Sequence, residues 1–174
     1  MSLSPSQRLA SIDDLLLYRL GRLSSTAGAL VVRLCEGGYG ITRREWAVVA
    51  QLYENGGLPP SVLAERMHRD RARTSRILTA LVKKQLVLRT VTPGDRRSAR
   101  VELTPAGRQL YDDLMPSIQA INGQILSALQ ADEVVQFDDV LARLQARAQS
   151  LVVELSPHWP RANRRRGPLS RSPG

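Results

Sequence analysis

The segment 70–104 constrains the fold of this chain more than any other, because its hydrophobic period changes twice over a short stretch. It begins with an arginine-rich helical pattern, continues as two short strand patterns separated by Thr92-Pro93-Gly94-Asp95, and ends at a new helix start, Thr104-Pro105. A single hairpin is only marginally stable alone, so it must pack against neighbouring helices. The segment therefore predicts a mainly helical domain with a small β wing.

Helical periodicity covers most of the remaining chain. Leucines recur at spacings of three, four and seven residues within 12–34, and the glycine-rich run 37–40 is expected to stop this first helix. Thr42 and Glu45 form a capping-box pair for a second helix, and Pro60 suits the first turn of a third. Asp70 is expected to cap a fourth helix. The predicted buried stripe of that helix is Ile77, Leu78, Leu81 and Val82.

Positive charge is concentrated in the same central segment. Between Arg66 and Arg100 there are eleven Lys and Arg residues against two acids, a local net charge of +9, which equals that of the whole chain. The last stretch, 156–174, adds five arginines and no acid, so the other segments together carry −5. A focused basic patch on a helix and a hairpin is typical of a protein that binds DNA.

The start of the predicted fourth helix contains the candidate base-reading residues. In a helix–turn–helix the second helix enters the major groove with its N-terminal residues at the base edges. Helical phase places Arg73 and Arg76 one turn apart on the outward face, a spacing that suits bidentate contacts to adjacent guanines. An ion-paired, solvated helix is the alternative, and the scarcity of local acids disfavours it. The candidates are Arg71, Arg73, Thr74, Ser75 and Arg76.

The tip of the predicted hairpin supplies a second set of DNA-binding candidates. Gly94 permits the tight turn, Asp95 is placed to brace it, and Arg96 and Arg97 project beyond the domain. An arginine there suits the narrow minor groove, where the negative potential is enhanced. Taken alone, the arginines of the hairpin could equally serve to prevent the exposed sheet edge from pairing with other chains. Its position directly after the basic helix favours contact with DNA.

The order DRARTSR…LVKKQLVLR…PGDRR…VELTPAG resembles the winged helix–turn–helix core of the MarR family of bacterial transcriptional regulators. The similarity covers about residues 41–111. Its most specific part is the wing pair Asp95 and Arg97, followed by the sequence LTPAG at 103–107. One departure is Gln85, at a position where the family often has glycine between helix and strand.

The resemblance implies roles for particular residues and for the assembly. Arg97 would enter the minor groove, and Thr74, Ser75 and Arg76 would lie in the major groove. The protein would be an obligate homodimer with intertwined terminal helices, bound to double-stranded DNA at a near-palindromic operator with half-sites about one helical turn apart. The leucine stripes of the first and last helices, which exceed what a small domain needs, independently support a dimer.

Four segments are expected along the chain. Residues 1–40 form an N-terminal dimerisation helix and link, and 41–104 form the winged helix–turn–helix DNA-binding domain. Residues 105–155 form the C-terminal dimerisation helices, the last of which is expected to start at Asp132. Residues 156–174 are expected to be a disordered basic tail, because they are rich in Pro, Arg, Ser and Gly and have little to bury.

The resemblance also implies a small anionic aromatic effector, bound between the dimer helices and the DNA-binding lobe. Arg19 and Arg22 are candidates to pair with its carboxylate, and Tyr39 and Trp46 to stack or hydrogen-bond. Two alternatives stay open. Trp46 follows the apolar stripe of its helix and suits the core, and the two arginines can pair with nearby acids or with acids of another chain. No cofactor and no metal site are expected.

The sequence favours a ligand-responsive repressor over other classes. A winged-helix protein-interaction module is one alternative, and a redox-responsive regulator using Cys35 is another, although a lone cysteine suits a small buried hydrophobe better. An enzyme is not expected, since no glycine loop, metal-ligand cluster or nucleophile–base pair is visible and Asp112 and Asp113 point apart on a helix. Without a membrane span or a signal-peptide pattern, the protein is expected in the cytoplasm.

Overall fold

The computed structural model describes residues 4, 7, 10–67, 70–92 and 95–159, with the backbone alone for 91–92 and 95–98. The elements in chain order are α1 (Leu16–Arg33), α2 (Arg43–Asn55), α3 (Pro60–Arg66), α4 (Arg71–Lys83), β1 (Val87–Thr92), β2 (Asp95–Leu103), α5 (Pro105–Leu126) and α6 (Ala131–Leu155). Short 3-10 turns cover Ile12–Asp14 and Ser156–His158, and a π-helical turn covers Leu34–Gly38. The chain forms two compact units, Met1–Ile125 and Leu126–Gly174.

Local capping signals place the starts of the central helices, as the sequence predicted. The Thr42 hydroxyl accepts a hydrogen bond from the Glu45 N–H at 3.1 Å, and the Glu45 carboxylate accepts one from the Thr42 N–H at 2.6 Å. Helix α3 has Pro60 in its first turn. The Asp70 carboxylate accepts a hydrogen bond from the Arg73 N–H at 2.8 Å. Each cap satisfies N–H groups that a helix start leaves unpaired.

The buried face of α4 differs from the predicted stripe. Thr74, Leu78 and Leu81 are buried, Ile77 is half-buried, and Val82 is 42% exposed. Thr74, Leu78 and Leu81 are separated by four and then three residues, so they lie on one face of the helix. Val82 is turned about 100° from Leu81 around the helix axis. The prediction for Val82 is therefore wrong, and Thr74 takes a core position that the sequence analysis assigned to the DNA-binding surface.

The wing is an antiparallel pair with one addition that the sequence did not predict. Strands β1 and β2 pair with Val87 opposite Leu103 and Arg89 opposite Val101. Leu58, between α2 and α3, exchanges two backbone hydrogen bonds with Val101, at 3.0 and 2.9 Å. A single bridging residue has no periodicity to detect, so only the structure reveals that the wing is anchored to the α2–α3 connection.

The core of the first unit lies among α2, α3, α4, the hairpin and the middle of α5. Apolar side chains from all of these elements are fully or almost fully buried there. They are Ile41, Trp46, Val48, Val49, Leu52, Leu63, Leu78, Leu81, Val87, Val101, Leu103 and Leu114. Because this core supports α4 and the base of the hairpin, it holds the basic helix and the wing in one rigid arrangement.

Three boundaries differ from the sequence-based expectations. Helical structure after α1 continues through Gly38, and the backbone turns at Gly40, which has φ +62°. Helix α6 begins one residue before Asp132, with Gln130 at its N-cap. Ser156–His158 are ordered as a 3-10 turn, whereas residues 160–174 of the predicted tail lie outside the described residues. None of the described helices is both long and apolar enough to span a bilayer.

Candidate nucleic-acid interface

The first turns of α4 form the exposed basic surface that the sequence predicted. The side chains of Arg71, Arg73, Ser75 and Arg76 are exposed. Thr74 is the exception, since it is 1% exposed and its hydroxyl donates a hydrogen bond to the Asp70 carbonyl at 3.2 Å. Its side chain therefore faces the core and strengthens the helix start, and the sequence-based assignment of Thr74 to the major groove is corrected here.

Asp70 contacts Arg73 in two ways. One carboxylate oxygen accepts the backbone N–H of Arg73 at 2.8 Å, and the other lies 3.1 Å from the Arg73 Nε. The same side chain thus caps α4 and holds one of the candidate base-reading guanidinium groups. Both partners are about half exposed, so water screens the pair and its contribution to stability is small.

Arg76, by contrast, has no carboxylate partner among the described residues. Its Nε donates a hydrogen bond to the Ala72 carbonyl at 3.4 Å. The guanidinium group lies one turn beyond Arg73 on the exposed face of α4, as the helical phase predicted. Among the described residues, the Asp70 carboxylate is the only one that forms an ion pair with an arginine in the first turns of α4.

The structure describes the wing candidates by their backbone. Asp95, Arg96 and Arg97 lie at the start of β2, and Asp95 pairs with Thr92 across the tip. Their side chains lie outside the part of the chain that the structure describes. At the base of the wing, Arg100 donates a hydrogen bond to the Gly57 carbonyl. Sequence reasoning counted Arg100 only as part of the basic patch, whereas the structure shows it attached to the α2–α3 connection.

The LTPAG segment forms the joint between the wing and α5. The Thr104 hydroxyl donates a hydrogen bond to the Gln85 carbonyl at 2.7 Å and accepts one from the Gly107 N–H at 3.0 Å. A Cβ atom at Gly107 would collide with the Leu86 carbonyl, so only glycine fits there. Gln85 adopts φ +58°, the left-handed conformation that glycine favours. The expected turn therefore forms despite the non-glycine residue.

A buried ion pair connects α2 to the C-terminal end of α4. The Glu45 side chain is 5% exposed, and its carboxylate lies 2.8 Å from the Lys84 ammonium. Lys84 also donates a hydrogen bond to the Gly40 carbonyl at 2.8 Å. Burial alone would raise the pKa of Glu45, but hydrogen bonds from Lys84 and from the Thr42 N–H, together with the ammonium charge, lower it below its usual value.

The predicted effector residues are not gathered in one cleft. Arg22 forms an exposed ion pair with Asp13 at 3.0 Å, which is one of the alternatives the sequence left open. Tyr39 donates a hydrogen bond to the Asp113 carbonyl at 3.4 Å. Trp46 is 7% exposed and stacks on Tyr111, with ring centroids 5.4 Å apart. Arg19 also makes a polar or electrostatic interaction within the chain.

Two clefts flank the N-terminal part of α2. One, of about 470 Å³, is bounded by α1, α2, α5 and the end of α3, and Trp46 contributes to its wall. The other, of about 730 Å³, is bounded by the end of α1, the first turn of α2 and the middle of α4, and Arg76 contributes to its wall. Arg43 lines both clefts. Volumes of this size fall in the range of small-molecule sites.

Cys35 is fully buried in the π-helical turn after α1. Burial raises the pKa of its thiol, Glu36 adds to the effect, and Arg43 opposes it. A buried thiol with a raised pKa reacts slowly with oxidants, because the thiolate is the reactive form. The position thus favours the small-hydrophobe interpretation of Cys35 over the redox one. Within the described ranges, no three His, Cys, Asp or Glu side chains are grouped to hold a metal.

An exposed basic helix supported by an antiparallel wing defines a winged helix–turn–helix DNA-binding protein. The MarR family model matches residues 41–99. The transcriptional repressor MdtR of Bacillus subtilis is 30% identical over 111 residues, which make up 64% of this chain and 72% of MdtR. The chain therefore belongs to the MarR family, and it is a DNA-binding transcriptional regulator rather than an enzyme.

Solved structures agree with this fold. MepR of S. aureus, determined as a complex with DNA, is 22% identical with a TM-score of 0.71, and the match covers 76% of this chain and 97% of MepR. PcaV of Streptomyces coelicolor, determined with its natural ligand, is 24% identical with a TM-score of 0.66, and the match covers 85% of this chain and 99% of PcaV. These similarities establish the winged-helix architecture with flanking helices.

Proposed function

We propose that the protein is a homodimeric repressor that binds a near-palindromic operator and is released from it by a small aromatic carboxylate. The observation that supports this most directly is the face of α4, where Arg71, Arg73 and Arg76 are exposed and, among the described residues, only Arg73 forms an ion pair, with Asp70. Clustered guanidinium groups attract a polyanion, and DNA supplies both the phosphate charges and the guanine acceptors that they can bind.

In this proposal the exposed groups of α4 have different roles. Arg73 and Arg76 contact base edges in the major groove, Ser75 hydrogen-bonds to a base or a phosphate, and Arg71 binds a phosphate. A bidentate arginine–guanine contact is worth about 1–3 kcal/mol of discrimination against another base. Specificity would therefore depend mainly on two side chains.

The wing is proposed to contact the neighbouring minor groove. Arg97 enters the groove, Arg96 binds the backbone beside it, and Asp95 braces the turn. The base of the wing supports this role, because Arg100 and the Leu58–Val101 bridge attach it to the helix–turn–helix. The basic segment 156–174 is proposed to add electrostatic affinity that does not depend on sequence.

The homodimer is supported by apolar helix faces that a single chain leaves uncovered. Helix α6 is 25 residues long and contains no buried residue. Its apolar stripe is between 36% and 45% exposed and consists of Phe137, Val140, Leu141, Leu144, Leu151 and Leu155. Near the N-terminus, Ile12 and Leu17 are 51% and 81% exposed. A second copy that covers these faces would form a dimer in which a two-fold axis relates the two α4 helices. This symmetry matches that of a palindromic site.

The effector site is proposed at the predicted residues of the N-terminal helices. In one protomer, Arg22 would exchange Asp13 for the carboxylate of the ligand, with Arg19 beside it. Tyr39 follows Arg22 by more than four helical turns, too far for a small ligand to reach both within one chain. The aromatic ring would therefore contact Tyr39 of the partner subunit and the edge of Trp46 of the partner subunit. The determination of PcaV with its natural ligand supports ligand binding by this fold. To release a DNA-bound dimer, the effector must favour the released form by roughly 3–5 kcal/mol.

The test is fluorescence anisotropy with the DNA upstream of the protein's own gene, titrated at near-physiological salt beside a scrambled duplex. Binding at two protomers per site, far tighter than to the scrambled duplex, is the expected result for a dimeric regulator acting on DNA in the bacterial cytoplasm. Equal and weak binding to both duplexes would contradict the proposal and favour a winged-helix protein-interaction module.

A further inference from the structure

Thr79 is an exposed, uncharged residue on the basic helix α4, one turn beyond Arg76. The buried residues Thr74, Leu78 and Leu81 define the side of α4 that faces the core. Helical phase turns Thr79 about 130° away from the middle of that side. Its side chain therefore lies on the surface that α4 presents to DNA, beside the arginines.

The hydroxyl group of Thr79 is engaged within the helix. It donates a hydrogen bond to the Ser75 carbonyl at 3.0 Å, one turn back along α4. This bond holds a β-branched side chain that already has few rotamers, so the direction of the whole side chain is restricted. The methyl group, on the other branch of the Cβ atom, is the part of Thr79 that can meet a ligand from outside.

The exposed face of α4 alternates between methyl groups and cations. Ala72, Arg76, Thr79 and Lys83 follow each other at spacings of four, three and four residues, and all four are exposed. The cations can bind phosphates or guanine acceptors, whereas a methyl group gains nothing from either. In the major groove thymine presents a methyl group of its own, at C5, and this group distinguishes it from the other bases.

We propose that Thr79 is a specificity-determining residue whose methyl group packs against the C5 methyl group of a thymine in the major groove. The inference rests on the proposed function, in which α4 enters that groove and Arg76 contacts a guanine. Thr79 follows Arg76 by about 4.5 Å along the helix axis, and successive bases are about 3.4 Å apart. The thymine should therefore lie one or two base pairs from that guanine.

The experiment requires DNA from which this one methyl group can be removed. The full-length protein first selects its preferred duplex from a pool of random sequences. Each thymine of that duplex is then replaced by 2′-deoxyuridine, one position at a time and in both half-sites. Deoxyuridine keeps the hydrogen bonds to adenine and lacks only the C5 methyl group. Anisotropy titrations at near-physiological salt measure the Kd of each duplex.

Two variants separate the methyl group of Thr79 from its hydroxyl group. Thr79→Ser removes the methyl group and keeps the hydroxyl group, whereas Thr79→Val keeps a methyl group and loses the hydroxyl group. Thr26→Ser is the matched control, since it makes the same change at an exposed position of α1. Each variant is titrated with the thymine duplex and with every deoxyuridine duplex.

For wild type, loss of the contacted methyl group should raise the Kd about fourfold for each half-site, or roughly fifteenfold for both. Thr79→Ser should bind the thymine duplex more weakly by a similar factor and lose no more affinity at that position when deoxyuridine is introduced. Thr79→Val and Thr26→Ser should keep the sensitivity of wild type. The salt slope should stay the same throughout, because no phosphate contact is removed.

The inference is overturned if no deoxyuridine replacement weakens binding, or if Thr79→Ser remains as sensitive as wild type at every thymine. It is also overturned if Thr79→Val binds every duplex more weakly than Thr79→Ser, because the hydroxyl group would then be the contacting group. All of these results would leave the preference for the selected duplex, and with it the proposed function, intact. A random pool that yields no preferred duplex would contradict the proposed function, and the role of Thr79 would be refuted with it.

Discussion

The Glu45 carboxylate and the Lys84 ammonium meet at 2.8 Å, with the carboxylate almost fully buried and the lysine side chain 36% exposed. The pair connects the first turn of α2 to the residue that ends α4. Lys84 also reaches the Gly40 carbonyl, in the link that follows α1. One side chain thus fixes the end of the DNA-binding helix against two other parts of the first unit.

Lys84→Met should lower the free energy of unfolding by about 1–3 kcal/mol at neutral pH, because it leaves the Glu45 carboxylate buried without its cation. Chemical denaturation measures this change. The double variant Glu45→Gln with Lys84→Met is the control, since glutamine preserves the capping box and removes the buried charge. A double variant no more stable than Lys84→Met alone would contradict the explanation.

The effect of Lys84→Met should depend on pH. The folded-state pKa of Glu45 lies below its unfolded value in the wild type, so the pair stabilises the protein above the unfolded pKa of about 4.3 and ceases to do so as the pH falls through the folded pKa. The difference in stability between wild type and variant should therefore be largest near neutral pH and shrink in acid. A difference that does not vary with pH would refute an electrostatic origin.

Gln85→Gly should stabilise the protein by about 0.5–1 kcal/mol. Gln85 has φ +58°, a left-handed conformation that is strained for any residue with a Cβ atom. Glycine removes this strain, and the energy gained is expected to exceed the entropic cost of ordering a more flexible residue on folding. Thermal and denaturant unfolding measure the change, with Gln85→Ala as the control that retains a Cβ. If both variants unfold alike, the backbone conformation does not limit stability at this turn.

Asp70→Asn should strengthen binding to scrambled DNA more than binding to the operator and so reduce specificity. Asparagine caps a helix about as well as aspartate, so α4 keeps its start, while the carboxylate that holds the Arg73 Nε at 3.1 Å is lost. Anisotropy titrations at several salt concentrations should show a steeper salt dependence by about one unit. An unchanged salt slope together with unchanged specificity would show that Asp70 acts only as a cap.

Arg97→Ala should weaken operator binding by roughly 1–3 kcal/mol without a change in melting temperature or oligomeric state, because the predicted minor-groove contact lies at the wing tip, away from the core. Anisotropy with the operator duplex measures the loss. Arg89→Ala, which removes an exposed arginine from the body of β1, serves as the comparison. Equal losses for both variants would indicate general electrostatic attraction instead of a specific wing contact.

Leu144→Glu should dissociate the proposed dimer. Leu144 belongs to the exposed apolar stripe of α6, and each dimer would bury two carboxylates where two leucines pack, a cost of at least about 3 kcal/mol in total. Sedimentation equilibrium measures the change in the dissociation constant. Ala146→Glu, which helical phase places on the opposite face of α6, is the control and should leave the dimer intact. If the Leu144→Glu variant had the dissociation constant of the wild type, the dimer contact would lie elsewhere on the chain.

Local chemistry explains why much of the DNA-binding module was predictable. The Thr42–Glu45 capping box, the Asp70 cap and the exposure of Arg73 and Arg76 depend on residues within one or two helical turns, so their spacing in the sequence is sufficient to infer them. The buried stripe of α4 was only partly predicted, since periodicity does not determine which edge of an amphipathic helix faces the core. For that reason Val82 was assigned to the wrong side. Thr74 was assigned to the DNA-binding surface by its position in the first turns of the helix and by the family resemblance, and its burial was not foreseen.

The sequence by itself determined the order of the elements, the concentration of positive charge on one helix and its hairpin, and the resemblance to the MarR family. Only the tertiary structure decided that Glu45 pairs with Lys84, 39 positions away, that Leu58 bridges to Val101, and that Arg43, Arg44 and Arg76 share a cleft. The physical reason is the separation along the chain over which each kind of interaction acts. Caps and helical periodicity act between near neighbours, whereas these contacts arise when the core brings distant segments together, and no local pattern specifies them.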